Sequence, residues 1–265
     1  MLRAVIFDYG NTLIGIDPAT PSSRPDYADV VARPGAERLA THLAEQGLLG
    51  PTPKRERFID RFLACREKNR IAAEVEGEEI TAEASLDEAL REAGGTSASS
   101  PALRDAIAVY FSVEEERIVA LEGAVETLQA LRAAGIRIAL LSNATDGRYV
   151  ERVAVRLGMR SFFDPCVVSS DIGVRKPRPE AFRAVLDSWT LRPEEIAMVG
   201  DSLYHDVGGA NRLGLYSVHF TQISNPGDPA HRDAIVPRAS VSSHTLLRAA
   251  MMPLLTASPI PAGER

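Results

Sequence analysis

After residue 118 the sequence settles into one repeating order, in which amphipathic stretches alternate with short apolar runs. GAVETLQALRAAG is followed by IRIALLSNA, RYVERVAVRLG by PCVVSS, RPEAFRAVLDSW by IAMVGD, and DVGGANRLG by YSVHF. Runs this short, apolar at consecutive positions, are strands covered on both faces. Helices between consecutive strands force right-handed crossovers and a mostly parallel sheet. SSHTLLRAAM reads as a closing helix. Residues 3–8 have the same character, with Val5, Ile6 and Phe7 in succession, and are expected to join that sheet. The expected fold class is α/β, a doubly wound parallel sheet.

The stretch between these two regions is different. Residues 18–33 hold several Pro and Ser without a period and read as loop. From residue 35 onward only helical spacing appears. PGAERLATHLAEQG sets Leu39 and Leu43 one turn apart and stops near Gly47. RERFIDRFLACREKNR puts Phe58, Phe62 and Cys65 on one face. SLDEALREAGG offers Ser85 as a cap, and SPALRDAIAVYFS offers Ser100 with Pro101 behind it. No strand is expected here. The expected division is a core of residues 1–15 and 118–250, an all-helical insertion of residues 16–117, and a flexible tail over 251–265, where TASPIPAGER is rich in Pro and Ala.

The formal net charge is −6. That works against nucleic acid and anionic membranes as partners, since both reward clustered Lys and Arg. No apolar run approaches the ~18–20 residues of a membrane span, and the N-terminus carries no leader pattern. The two cysteines, Cys65 and Cys166, match no zinc spacing. They are expected as separate thiols in a reducing, cytoplasmic setting.

Ligands of open parallel sheets bind beyond the carboxyl ends of the strands. The polar residues at those ends are Asp8, Ser142 with Asn143, and Asp201 with Ser202; Lys176 stands in the loop after PCVVSS. Each has a plainer reading alone: a turn or capping aspartate, a Ser-Asn helix start, a solvated lysine. Their convergence at one edge of one sheet favours a site.

Four segments carry a resemblance: FDYGNTL at 7–13, LLSNA at 140–144, GVRKPRPEAF at 173–182 and GDSLYHDVGGANRLG at 200–214. In order and spacing they resemble the motifs of the haloacid dehalogenase-like hydrolase superfamily, in the subgroup with a helical cap between the first and second motifs. The resemblance implies a Rossmann-like core and a Mg²⁺-dependent phosphohydrolase acting on a small phosphorylated metabolite. By it, Asp8 is the nucleophile that forms an aspartyl-phosphate. Thr12 ties the loop down or assists Asp8. Ser142 and the backbone N–H of Asn143 bind phosphoryl oxygens. Lys176 balances the charge of Asp8 and the phosphate. Asp8, the carbonyl of Gly10 and Asp201 hold Mg²⁺. Ser202 and Asp206 support them, Asp206 by holding Lys176 or a water, or by capping a helix. His205 is expected on the rim.

The sequence departs from the family at one position. Most phosphatases of this kind carry a second Asp two residues after the nucleophile, which protonates the leaving alcohol and later activates water. Here that residue is Gly10. Three readings follow. One is a phosphohydrolase that is weak, or atypical, or selective for good leaving groups. Another is a dehalogenase- or phosphonatase-like hydrolase, neither of which needs that acid. The third is a non-catalytic phosphate- or partner-binding protein. Dehalogenases of this family need no metal and do not usually keep the GDS at 200–202. A phosphonatase wants a cap lysine, and Lys54 and Lys68, the only ones there, read as solvated. A binding protein has no reason to retain Asp8, Ser142, Lys176 and Asp201 together. The phosphohydrolase reading leads.

Overall fold

The structure is a computed structural model that describes residues 1–17, 27–50, 54–96, 98–223 and 234–255. Among these residues the chain forms eight strands: β1 (Ala4–Phe7), β2 (Ile14–Ile16), β3 (Ile118–Ala120), β4 (Arg137–Ser142), β5 (Cys166–Val168), β6 (Ile196–Gly200), β7 (Tyr216–Phe220) and β8 (Ala239–Val241). Six make one sheet in the order β5-β4-β1-β6-β7-β8, and every pair in it is parallel. β1 is buried along its whole length and lies at the centre, with Phe7 level with Leu140 on one side and Val199 on the other. From β1 the chain steps outward through β4 and β5, then returns across β1 to build β6, β7 and β8. The direction of winding therefore reverses at β1, and a crevice opens there beyond the strand ends.

Helices lie on both sides of the sheet; in chain order after the helices of residues 33–115 come α5 (Ala124–Ala133), α6 (Gly147–Arg156), α7 (Ser169–Ile172), α8 (Pro179–Leu186), α9 (Gly209–Arg212) and α10 (His244–Met251). Alternate strand residues set the packing. Ala4, Ile6, Leu141 and Met198 point to one side, where Phe182 and Val185 of α8 and Trp189 complete a buried cluster.

The chain divides into two compact units. One comprises residues 1–15, 119–147 and those from 154 on; the other comprises residues 16–118 with 148–153. The second contains α1 (Arg33–Glu45), α2 (Lys54–Glu76), α3 (Ala82–Glu92) and α4 (Ser100–Glu115). In it α1 lies against α2 and α4, and α3 against the same two. Leu39, Leu43, Phe58, Phe62, Leu86 and Ile107 are its fully buried centre. The rings of Phe58 and Phe62 stack at 5.9 Å, and Tyr110 meets Phe62 edge-on at 5.0 Å. No strand lies within residues 34–112 among those described, and none of the described helices is long and apolar enough to cross a membrane.

Several expectations need correction. Of the presumed loop 18–33, residues 18–26 lie outside the described residues, but Ala28–Ala32 is a π-helical turn leading into α1. The cap of α3 is Thr81, whose hydroxyl accepts from the Ala84 N–H at 3.2 Å. Ser85 lies one turn inside, where its Oγ accepts from the Asn69 amide at 3.0 Å. The cap of α4 is Ser99 rather than Ser100. The run PCVVSS is strand only to Val168, and Ser169 and Ser170 already belong to α7. Residues 251–255 of the expected tail are held: Leu2 N–H donates to Leu254 O at 2.8 Å. Residues 256–265 lie outside the described residues. β2, β3 and β8 were not expected, because three residues are too few to display a period. β2 and β3 form a ribbon of their own through which the chain leaves the first unit and returns to it.

Candidate active site

The residues at the crevice are held from several directions at once. Asp8 follows β1, and its N–H still donates to Val199 O at 2.9 Å, so the ladder fixes the backbone under the carboxylate. Lys176 is 2% exposed. Its Nζ lies 2.6 Å from Asp8 Oδ1, 2.8 Å from Asp206 Oδ1 and 2.7 Å from Leu141 O. The ammonium thus donates to Asp8 and Leu141 and makes an ion pair with Asp206. The backbone of Lys176 is clamped by the Asn143 side chain: Nδ2 donates to Lys176 O at 2.9 Å, and Oδ1 accepts from Lys176 N–H at 2.8 Å.

Asp206 stands on the π-helical turn Leu203–Gly208 that begins just after β6. Its Oδ2 accepts from Ser202 N–H at 3.0 Å, while Ser202 Oγ accepts from His205 N–H at 3.0 Å. The Asp206 carboxylate lies against the Cα of Gly200, where any Cβ would come within 2.1 Å of Oδ2. Glycine at 200 is what admits it. Asp201, the next residue, is buried, and its carbonyl lies 3.1 Å from His219 Nε2. Asn11 Nδ2 donates to Asp201 Oδ2 at 3.2 Å.

Thr12 is fully buried and its hydroxyl approaches Asp8 Oδ2 at 3.4 Å. Its carbonyl lies 2.8 Å from His244 Nε2. A carbonyl only accepts, so His244 carries its proton on Nε2. Its Nδ1 is buried with no hydrogen-bond partner among the described residues. Ser142 ends β4 and is buried beside this group of strand ends, whereas Gly10 is exposed.

Burial raises the pKa of Asp8; Lys176 opposes the rise and Asp206 adds to it. Burial likewise pushes Asp201 up to about 8, with the charges of Asp8 and Asp206 adding to the effect. Burial works against the Lys176 ammonium, but Asp206 and Asp8 outweigh it and hold its pKa above the ordinary lysine value. Asp8, Asp201 and Asp206 each place one carboxylate oxygen so that all three lie within 4.8 Å of one another. Fully ionised, three carboxylates face one ammonium. An all-oxygen cluster with surplus negative charge suits a hard divalent cation.

Of the residues chosen from sequence, Asp8, Thr12, Lys176, Ser202 and Asp206 are joined by the contacts above, and Asp201 lies with them. Asn143 enters through its side chain, which holds Lys176. Lys68 is paired with Glu88 on a helix surface, and the side chain of Lys54 lies outside the described residues. Three side chains were missed: Asn11, His219 and His244. An asparagine in a tight turn is a visible signal, but nothing in the sequence ties His244 to a carbonyl 232 positions away.

His244 yields a pH prediction. Burial lowers its pKa from 6.5 to about 4, the Thr12 carbonyl pulls it upward, and Arg248 lowers it further. The unfolded chain therefore binds this proton first as pH falls. Stability from the neutral ring is complete above pH 6.5 and is lost toward pH 4, by about 3 kcal/mol in all. His244→Gln keeps an N–H donor but does not titrate. Urea denaturation should show the wild type ahead at pH 7 and the gap closing by pH 4.5; a gap independent of pH would refute the assignment.

The profile of the haloacid dehalogenase-like hydrolase family matches residues 2–214. Glyceraldehyde 3-phosphate phosphatase of Pyrococcus furiosus is 31% identical over 114 residues, a match that spans 43% of this chain and 47% of that protein, about half its length. Ribulose-1,5-bisphosphate 5-phosphatase of Halopiger xanaduensis is 32% identical, with 93% of this chain and 97% of that protein covered. Among solved structures, 2-haloacid dehalogenase from Pseudomonas syringae pv. Tomato DC3000 superimposes with a TM-score of 0.66 over 96% of this chain and all of that one. At 22% identity that likeness speaks for the fold alone. A profile that runs from β1 past α9, and a relative aligned over nearly its whole length, lead to one conclusion: the chain belongs to the haloacid dehalogenase-like hydrolase family.

Proposed function

We propose that the protein is a Mg²⁺-dependent phosphohydrolase of small phosphorylated metabolites that works through a phosphorylated Asp8. The observation that carries this reading is the Asp8 carboxylate itself. One oxygen is fixed by the buried Lys176 ammonium, the other faces the Thr12 hydroxyl, and two further carboxylates stand beside it. Both relatives named above are by name phosphatases, of glyceraldehyde 3-phosphate and of ribulose 1,5-bisphosphate, and the second aligns over nearly its whole length, which supports a phosphate ester as substrate.

Asp8 attacks phosphorus, forming an acyl-phosphate bond as the bond from phosphorus to the leaving oxygen breaks. Water then cleaves the acyl-phosphate, releasing phosphate and restoring Asp8. Lys176 keeps Asp8 ionised for the attack and offsets the phosphoryl charge. The Ser142 hydroxyl and the Asn143 N–H are the donors for phosphoryl oxygens. Asp8, Asp201 and the Gly10 carbonyl would hold the cation, and the buried oxygen cluster fits it. Mg²⁺ held there would supply positive charge against the phosphoryl oxygens. Gly10 supplies no proton, so the leaving oxygen departs as an anion and esters with good leaving groups are favoured. In this reading the helical unit of residues 16–118 is a cap that selects the substrate, and the two free thiols fit the cytoplasm.

The test is release of phosphate from an aryl phosphate with Mg²⁺. Asp8→Asn should lower the rate by ~10³-fold or more. Asp201→Ala should remove the Mg²⁺ dependence together with most of the activity. Full activity in both variants would defeat the proposal, and halide release from a 2-haloacid in the presence of chelator would replace it with dehalogenation.

A further inference from the structure

Asn11 is the one non-glycine residue among those described with a positive φ, at 56°. The left-handed region is natural for glycine and tolerated by asparagine. Glycine would therefore hold this turn at least as well. The turn does not depend on the Asn11 side chain either. Backbone N–H groups of Thr12, Leu13 and Ile14 all converge on Tyr9 O, at 3.4, 2.9 and 3.1 Å. Gly10 and Ile14 are joined by a further backbone bridge. The amide is used elsewhere, at Asp201 Oδ2.

We infer that Asn11 is a positioning residue, whose amide fixes the Asp201 carboxylate for a divalent cation shared with Asp8. The inference rests on the cation reading of the preceding subsection. A neutral donor is the suitable group for this task. A lysine or arginine would orient the carboxylate too, but would cancel the charge that the cation needs. An amide sets the rotamer and leaves that charge in place. The Asp201 carbonyl lies against His219 Nε2, so both ends of the residue are contacted from outside its own loop.

Two variants separate the amide from the backbone. Asn11→Gly removes the side chain and relaxes the left-handed turn. Asn11→Ala removes it and leaves the turn strained. Each is unfolded thermally without metal and titrated with Mg²⁺ by calorimetry. Asn11→Gly should melt at or above the wild-type temperature yet bind Mg²⁺ ~10- to 100-fold more weakly. Asn11→Ala should show the same loss of affinity with a lower melting temperature. Activity at saturating Mg²⁺ should recover toward wild type in both, while the Mg²⁺ concentration for half-activity rises. Wild-type affinity in Asn11→Gly overturns the inference, as does an affinity that follows backbone strain and so differs between the two variants. A wild type that binds no Mg²⁺, or an Asp201→Ala variant that binds it normally, brings down the reading of the cation site itself and this inference with it.

Discussion

Lys176→Met should abolish phosphate release and destabilise the folded protein by about 3–5 kcal/mol, the usual consequence of removing one partner from a buried ion pair. Methionine matches the length of the lysine stem, so packing is roughly kept and the lost charge is isolated. What remains is Asp8 and Asp206, buried and without their ammonium, and a Leu141 carbonyl without its donor. In a chain of this size the melting temperature should fall by roughly 10 °C. The deficit should also depend on pH. Without Lys176 the folded pKa of Asp8 rises further above its unfolded value. A carboxyl raised in this way is least harmful below the unfolded pKa, where both states are protonated, and its penalty grows as pH climbs. The gap to wild type should therefore be small near pH 4 and full by pH 7. Adding Asp206→Asn to Lys176→Met should recover part of the stability and none of the activity. Equal stability of wild type and Lys176→Met at pH 7 would show that the ion pairs contribute nothing.

Gly10→Asp should change which esters turn over. A Cβ at Gly10 meets no atom within 4 Å, and its backbone is not left-handed; the left-handed residue is the next one, Asn11. The second acid is therefore missing for no steric reason, and the variant should fold with a change of about 1 kcal/mol or less. The wild type should hydrolyse aryl phosphates well ahead of alkyl phosphates, because only the latter need a proton on the departing oxygen. In Gly10→Asp the alkyl rate should rise relative to the aryl rate. The ceiling is the ~10²–10⁴-fold worth of a placed acid–base group. The gain will be smaller, since nothing around residue 10 has been arranged to tune a new carboxyl. Steady-state rates on a matched aryl and alkyl series decide it. The idea is lost if the wild type already treats the two alike and a correctly folded Gly10→Asp leaves their ratio unchanged.

The parts of this architecture that were legible in sequence are those with a period or a motif. YSVHF gave the bounds of β7 to the residue, and the strand expected over 3–8 contains β1, whose four residues are all apolar and buried, as a strand covered on both faces favours. Asp8 and Asp201 were legible for a related reason: each directly follows a strand end, and parallel sheets collect their strand ends along one edge; Lys176, beyond β5 and α7, was legible only through its motif. The reach of Lys176 was not. Its three oxygens come from residues 8, 141 and 206, and only the folded register, which sets Phe7 level with Leu140, brings Leu141 to the end of β1. Cap choice failed for a local reason. Ser85 and Ser100 each have the right chemistry, but a threonine at 81 and a serine at 99 stand further upstream, and it is their side chains that accept from the N–H groups of Ala84 and Ala102. The second part of Asn143 was not legible: its side chain clamps the backbone of Lys176, whereas in sequence only its backbone N–H had a visible task.

The placement of β1 has a consequence for biosynthesis. The strand that lies at the centre of the sheet leaves the ribosome before the other strands of that sheet, and its partners begin only at residues 137 and 196. At typical elongation rates of ~5–20 residues per second, its apolar edges wait roughly six to twenty-six seconds for the first of them. The helices of residues 33–115 make mostly local contacts and need wait for nothing downstream. The order of completion in the cell is then the reverse of the order of centrality. The inserted helices form early, the strand that leads to Asp8 docks late, and the nascent chain carries Val5, Ile6 and Phe7 uncovered in the interval. This segment is where a chaperone that binds short apolar stretches would find its opportunity.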